Sequence, residues 1–378
     1  MGVLSLTRLI PSGVSLIGFL VIVSVFLPNQ VNASDSSVDK RIGRDSRSIV
    51  NGSDIGPDVW PAVVRLSMTM THPTDPTVKS SGRLCTGTLL ARDTIKTARD
   101  LGTSRGDVVL TAAHCFNPDD DGRVVARITY WRDSTTQGQT ATNWVQNSQY
   151  IPNGNKAYDT GLIFFASRNG FTNGLPICEQ APHNGDQITL VGFGCNNFAS
   201  VDGTCTDGTG TKRQGINTID NDGDIIKYTG PIRDHDGSEQ SQASGDSGGP
   251  YIVTQEGGPC IAGVVSGGEI TDTNKNGKPD NGDTRLCYGA NLHNVSSQAF
   301  LTAQLPGLDC DIYGVNCDVR YATLYREFYG KQPDAGAVSQ NIEDLKYNRS
   351  TLHEIAEDIR SDLFSKVQPA LTMLLDIQ

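Results

Sequence analysis

Between Ile49 and about Leu305 the apolar residues come in short runs broken by Gly-, Asn- and Asp-rich turns; Val59–Leu66, Val124–Trp131, Leu162–Phe165, Ile188–Val191 and Cys260–Val265 are examples. A helix that buries one face needs a longer apolar period than these runs supply, so they read as strands joined by turns. Several runs are apolar on consecutive residues, as expected of strands rolled into packed barrels. The 41 glycines, set against only 19% charged residues, point the same way. Lys+Arg 31 against Asp+Glu 42 leaves a net charge of -11, which is the wrong sign for a nucleic-acid footprint. A coiled coil, a multi-span membrane protein and an electrostatic DNA binder are thereby excluded.

The two ends of the chain differ from this middle. Arg8 precedes the apolar run Val14–Leu27 and the small-residue site Val31-Asn32-Ala33, the order found in a secretory signal peptide. The run falls short of the ~20 residues that a membrane span takes. We therefore expect a signal peptide over 1–33, a polar and basic pro-segment over 34–48, and a secreted product (extracellular or periplasmic) that leaves the membrane once the signal is removed. Past Pro306, the residues Leu345, Leu352, Ile355, Ile359, Leu363, Val367 and Leu371 recur at helical spacing, predicting a mainly α-helical extension over 306–378. Export permits disulfides, which gives the nine cysteines a role. None of them forms a CxxC pair and no HExxH occurs, so zinc has no support. Their odd number leaves at least one thiol free or paired outside the chain.

Three short motifs carry chemistry. Leu110-Thr111-Ala112-Ala113-His114-Cys115 ends an apolar run on a histidine, Tyr158-Asp159-Thr160-Gly161 opens another with an aspartate, and Gly245-Asp246-Ser247-Gly248-Gly249-Pro250 sets a serine among glycines. A serine hydroxyl is a weak nucleophile at neutral pH and needs a base within hydrogen-bond reach. An imidazole supplies that base, and a buried carboxylate orients it and stabilises the imidazolium that forms. Glycines beside the serine let neighbouring backbone N–H groups converge on a developing oxyanion. Each motif alone has a bland explanation as a turn or a structural strand end. Together, in the order His, Asp, Ser, they indicate a catalytic set of His114, Asp159 and Ser247 that needs no cofactor.

These motifs, with Ile49-Val50-Asn51-Gly52 as a mature N-terminus, resemble the trypsin/chymotrypsin family of serine proteases over Ile49 to about Leu305. The resemblance implies an all-β fold of two six-stranded antiparallel β-barrels with the active site between them. His114 and Asp159 would come from the first barrel and Ser247 from the second. It further implies an oxyanion hole from the N–H groups of Gly245 and Ser247, and a zymogen in which cleavage frees the Ile49 amine to pair with Asp246. Protein or peptide substrates and an activating protease would then be its partners. The alternative is a catalytically silent homologue that acts as a binding module.

Several positions depart from the family pattern. Ser48, not a basic residue, precedes Ile49, with Arg47 one position further back. Ser241 maps to the base of the primary pocket, where an acidic residue would favour basic substrates, so a neutral P1 residue is expected. Ser266 and Gly268 would line the strand that holds the substrate backbone. Ala243 replaces a family cysteine. The resemblance pairs Cys85 with Cys115; proximity suggests Cys195–Cys205 and Cys310–Cys317, and Cys260–Cys287 would leave Cys178 over. Finally, Asp272, Asn274, Asn276, Lys278, Asp280 and Asp283 have the spacing of a calcium loop around Gly277, so a structural calcium is a further expectation.

Overall fold

The computed structural model describes residues 49–91, 106–132, 137–172, 174–196, 209–231, 240–277 and 283–305, with residues 321, 322, 325, 326 and 361 beyond them. The expected signal peptide and pro-segment lie outside the described residues, as does the helical period of 342–377 apart from Ser361.

After a two-residue strand, β1 (Ser53–Asp54), come β2 (Val63–Thr71), β3 (Ser81–Leu89), β4 (Val108–Thr111), β5 (Val124–Trp131), β6 (Gln137–Thr140), β7 (Asn143–Gln146) and β8 (Gly161–Phe164). Along β2, Leu66, Met68 and Met70 are buried while Ser67 between them is exposed, the period of a strand with one face in a core. The sheet order is β6-β5-β2-β3-β4-β8-β7. β6 and β7 act as two halves of one bent strand. Ala141 N donates to Ile128 O at 2.8 Å on the β5 side, and Thr142 N donates to Phe164 O at 2.8 Å on the β8 side. The sheet thus curls back on itself, and counting β6 and β7 as one strand gives the expected six.

The second sheet holds β9 (Gln187–Gly192), β10 (Arg213–Thr218), β11 (Ile225–Pro231), β12 (Pro250–Gln255), β13 (Gly258–Thr271) and β14 (Thr284–Asn291), in the order β1-β10-β9-β12-β13-β14-β11. Here six strands carry the curl and β1 is an addition at the edge. Asn217 on β10 donates its side-chain amide to Thr229 O on β11 at 3.1 Å, which draws the two ends of the sheet together. Both curled sheets are antiparallel, and their inward residues form two apolar cores. Leu66, Ile128, Tyr130 and Leu162 belong to one; Ile188, Ile226, Tyr228 and Tyr251 belong to the other.

A short helix, α1 (Val295–Gln304), follows the second sheet and packs Phe300 and Leu301 into the first core. Its N-terminus is capped by Asn294, whose side chain accepts from Ser297 N at 2.7 Å, satisfying one of the otherwise unpaired first-turn donors. The same side chain donates to Ala157 O at 3.0 Å and to Asn291 O at 2.6 Å. Asn294 fits a glycosylation sequon in the sequence, but its amide is consumed in holding the helix start.

One disulfide departs from expectation. Cys85–Cys115 forms as expected, whereas Cys260 bonds Cys178 and leaves Cys287 as a buried free thiol. The strand register explains why. On β13 the residue opposite Cys287 is Gly268, eight residues beyond Cys260 and so roughly 26 Å along the strand. The segment before Glu179 instead runs beside β13, with Ile261 N donating to Pro176 O at 2.9 Å and Cys178 N to Ile261 O at 3.1 Å. Cys195 is disulfide-bonded too, while Cys205, its expected partner, and the pair Cys310 and Cys317 lie outside the described residues. Non-reducing peptide mapping after alkylation in denaturant should return a Cys178–Cys260 linked peptide and an alkylated Cys287. A linked Cys260–Cys287 peptide would contradict this register.

Candidate active site

Asp159 and His114 are delivered by paired strands. β4 and β8 are antiparallel with Thr111 opposite Gly161, so the residues just beyond Thr111 and just before Gly161 meet at one end of the barrel. Past β4 the chain enters a 3-10 turn, Ala113–Phe116, that carries His114; the Cys85–Cys115 bond ties this turn to β3. Asp159 has no exposed surface. Its Oδ2 lies 2.7 Å from His114 Nδ1, and its Oδ1 accepts the His114 backbone N–H at 2.8 Å. Ser266 Oγ on β13 also donates to Oδ2. Burial alone would raise the Asp159 pKa. The His114 charge and the hydrogen bonds from His114 and Ser266 outweigh it and hold the carboxyl below its ordinary value. An ionised carboxylate can only accept, so Nδ1 is the donor, and in a neutral His114 the lone pair would sit on Nε2. The sulfurs of Cys85 and Cys115 come near the same imidazole, but they are bonded to each other and are not thiolate ligands for a metal.

The serine turn is built around Asp246. Its carboxylate is fully buried, with Oδ1 accepting Gly194 N at 2.8 Å and Oδ2 accepting Ala243 N at 2.8 Å. The backbone N–H of Ile49 is a third donor, and buried Arg213 adds positive charge nearby. Such an approach requires glycine on β9, since a Cβ on Gly192 would lie 2.0 Å from Asp246 Oδ1. Burial nonetheless dominates and pushes the Asp246 pKa up to about 7. Gly245, at φ 97°, supplies the left-handed turn before Asp246. Among the described residues no acceptor meets the N–H of Gly245 or of Ser247.

Thr86, a residue that no motif marked, joins this turn to the first barrel. Its N–H donates to Ser247 O at 2.8 Å, its hydroxyl donates to Gly245 O at 2.8 Å, and that hydroxyl accepts Phe193 N at 3.1 Å. Its carbonyl in turn accepts the Thr111 hydroxyl at 2.8 Å, two residues before the His114 turn. The sequence signal for Thr86 is only its adjacency to Cys85. Ser247 Oγ and His114 Nε2 are not hydrogen-bonded to each other. In free enzymes such a contact is commonly long and tightens with substrate bound.

A cavity of about 250 Å³ opens beside Ser247, walled by Gln242, Ser244, Gly268, Arg285 and Tyr288. Ser266 and Gly268 both line it, and Ser266 also holds Asp159. Ser241 does not. It is fully buried, it pairs with Val50, and its hydroxyl donates to Pro231 O, so the residue expected at the pocket base belongs to the barrel wall instead.

Residues 103–285 match the Trypsin family model. The fold is that of the trypsin/chymotrypsin family of serine proteases. No curated protein matches the chain. Among solved structures, protease Anisep from Arthrobacter nicotinovorans is 16% identical with a TM-score of 0.42, over 69% of this chain and 98% of its own. The thermostable serine protease AL20 from an extremophilic microorganism is 14% identical with a TM-score of 0.44, over 66% of this chain and 99% of its own.

The described part of the expected calcium loop, Asp272–Gly277 with Asp283, forms an Asx-rich turn after β13. Asp272 accepts Asn276 N at 3.2 Å and Gly277 N at 2.7 Å, Asn274 accepts Asn276 N at 3.0 Å, and buried Asp283 accepts Thr273 N at 2.8 Å. Lys278 and Asp280, two of the expected ligands, lie outside the described residues.

Two predictions follow from the serine turn. Thr86→Val removes the bonds to Gly245 O and Phe193 N from a fully buried position. It should cost about 1–3 kcal/mol, read as a lower urea midpoint that Thr86→Ser largely restores. The second concerns Asp246, whose folded pKa of about 7 exceeds its ordinary 3.8 while Ile49 is still peptide-bonded. The folded state then holds the proton more tightly, so this contribution is complete below 3.8 and lost as pH rises through about 7. The stability margin of the uncleaved chain over Asp246→Asn should therefore shrink between those limits, measured by denaturant unfolding at each pH. A margin that widened with pH would show that the charged form is the one the fold prefers.

Proposed function

We propose that this chain is a secreted serine endopeptidase that cleaves protein or peptide substrates through an acyl-enzyme, and that it is made as a zymogen. The observation that carries the reading is the buried Asp159 carboxylate. It holds His114 through both ring and backbone, which orients the imidazole and leaves Nε2 to serve as the base for Ser247. Further support comes from the N–H groups of Gly245 and Ser247, which meet no acceptor among the described residues and are the donor set an oxyanion needs.

In the proposed reaction the Ser247 Oγ–C bond forms at the scissile carbonyl as its proton passes to His114 Nε2. The carbonyl oxygen takes the negative charge and is met by the N–H groups of Gly245 and Ser247. Collapse breaks the C–N bond, and the amine leaves with the proton from His114. Water then repeats the sequence, with His114 again the base, and releases the acid and free Ser247. Asp159 stays ionised throughout, orienting the imidazole and stabilising its cationic form.

For activation, the reading assigns Ile49 and Asp246 as partners. Ile49 is buried, yet its φ of 51° lies where a β-branched side chain is disfavoured. Cutting the Ser48–Ile49 bond removes that torsion and turns one amide donor on Asp246 into an ammonium, an ion pair for a carboxylate that burial otherwise keeps near neutral. An activating protease must cut after Ser48, or cut after Arg47 and be followed by trimming.

A fluorophosphonate probe with mass spectrometry of the labelled peptide tests the whole reading. Protein whose N-terminus is Ile49 should be labelled on Ser247, and Ser247→Ala or His114→Ala should lower kcat by ~10⁴–10⁶. An unlabelled protein that begins at Ile49 would favour the silent binding module.

A further inference from the structure

The turn that carries Ser247 is a run of peptide groups, each held by a hydrogen bond at its carbonyl. Ser244 O accepts Cys195 N at 2.8 Å, Gly245 O accepts the Thr86 hydroxyl at 2.8 Å, Asp246 O accepts Gly249 N at 2.8 Å and Ser247 O accepts Thr86 N at 2.8 Å. A peptide is planar and trans, so its N–H points opposite to its carbonyl. Fixing Ser244 O therefore aims the Gly245 N–H, and fixing Asp246 O aims the Ser247 N–H. Neither of these N–H groups meets an acceptor among the described residues.

The peptide between them, Gly245–Asp246, decides how the two donors lie relative to each other. Its N–H donates to Ala243 O at 3.0 Å, within the turn itself. Its carbonyl is held from the first sheet, by the Thr86 hydroxyl. Gly245, at φ 97°, has no side chain to restrict rotation of that peptide. The hydroxyl is locked in its turn. It accepts Phe193 N at 3.1 Å, which leaves Gly245 O as the acceptor for its single proton. Thr86 has no exposed surface, so it acts through the turn and not on a substrate.

We propose that Thr86 is a positioning residue for catalysis: through the Gly245 carbonyl it sets the angle between the two backbone donors that meet the oxyanion. The proposal rests on the serine-protease reading above. Hydrogen bonds weaken steeply when misaligned, and the charge on the carbonyl oxygen is largest in the transition state. A donor pair turned out of line therefore loses rate before it loses substrate affinity. Thr86→Val keeps the side-chain shape and the backbone bond to Ser247 O, and it exchanges the hydroxyl for a methyl.

The test uses protein cut at Ile49. Its active sites are counted by fluorophosphonate titration run to completion, so that rates refer to competent sites and a loss of folded protein does not register. The substrate is the fastest of a set of fluorogenic peptides that differ at P1, and the matching peptide boronate reads binding of a tetrahedral anion. Thr86→Val should lower kcat about 10-fold or more, with KM changed no more than about 3-fold. The boronate should bind more weakly by a factor close to the loss in kcat. The acid limb of the kcat/KM profile, which reports His114, should keep its wild-type midpoint. Thr86→Ser should restore kcat. A valine variant that yields no titratable sites is replaced by Thr86→Ala, which also lacks the hydroxyl and adds no bulk. Wild-type kcat without the hydroxyl, a loss confined to KM, or a shifted midpoint overturns the inference and leaves the protease reading standing. Wild type cut at Ile49 that takes no label defeats both.

Discussion

A carboxylate with no access to water has to find its donors in the protein, and Asp246 draws three separate segments to itself in doing so. Gly194 comes from the end of β9, Ala243 from the start of the serine turn, and Ile49 from the beginning of the described chain. Removing any one of these leaves an acceptor unmatched where mismatch is expensive. The conformation of the turn that holds Ser247 is therefore a consequence of how Asp246 is satisfied. The glycines around it follow from the same demand, because Gly192 lets the β9 backbone pass within reach of the carboxylate.

The second constraint is that the site straddles two curled sheets, each with its own core. Two polar clasps fix them to one another. Thr86 of β3 binds Gly245, Ser247 and Phe193, and Ser266 of β13 crosses to Asp159. Both clasps are buried side chains with short, directional bonds, so they set position more sharply than apolar packing can. Ser266 also lowers the Asp159 pKa, alongside His114, which ties the charge state of the carboxylate to the docking of the second sheet.

Much of this molecule could be read locally. The strand runs from Val124, Leu162 and Ile188 became β5, β8 and β9, because period and turn residues act within a few positions. His114, Asp159, Ser247 and the Cys85–Cys115 bond were legible for a similar reason: each sits in a compact motif whose residue types serve one task. Ser241 and Cys260 were misread because their roles depend on register. A count of six residues back from Ser247 does not show that Ser241 faces Val50, and sequence order does not show that Cys287 lies opposite Gly268.

The sequence by itself determined the class of fold and an odd number of cysteines, and it brought forward His114, Asp159 and Ser247 as candidates, since these follow from composition, periodicity and short motifs. Only the tertiary structure decided which groups those residues meet. Thr86 reaches Gly245 across 159 positions, Ser266 reaches Asp159 across 107, and Arg285 reaches the back of Gly268 through the pairing of β13 with β14. The physical reason is range: backbone preference and side-chain period extend over a turn or a strand, whereas burial and hydrogen-bond satisfaction are settled only when the two sheets close.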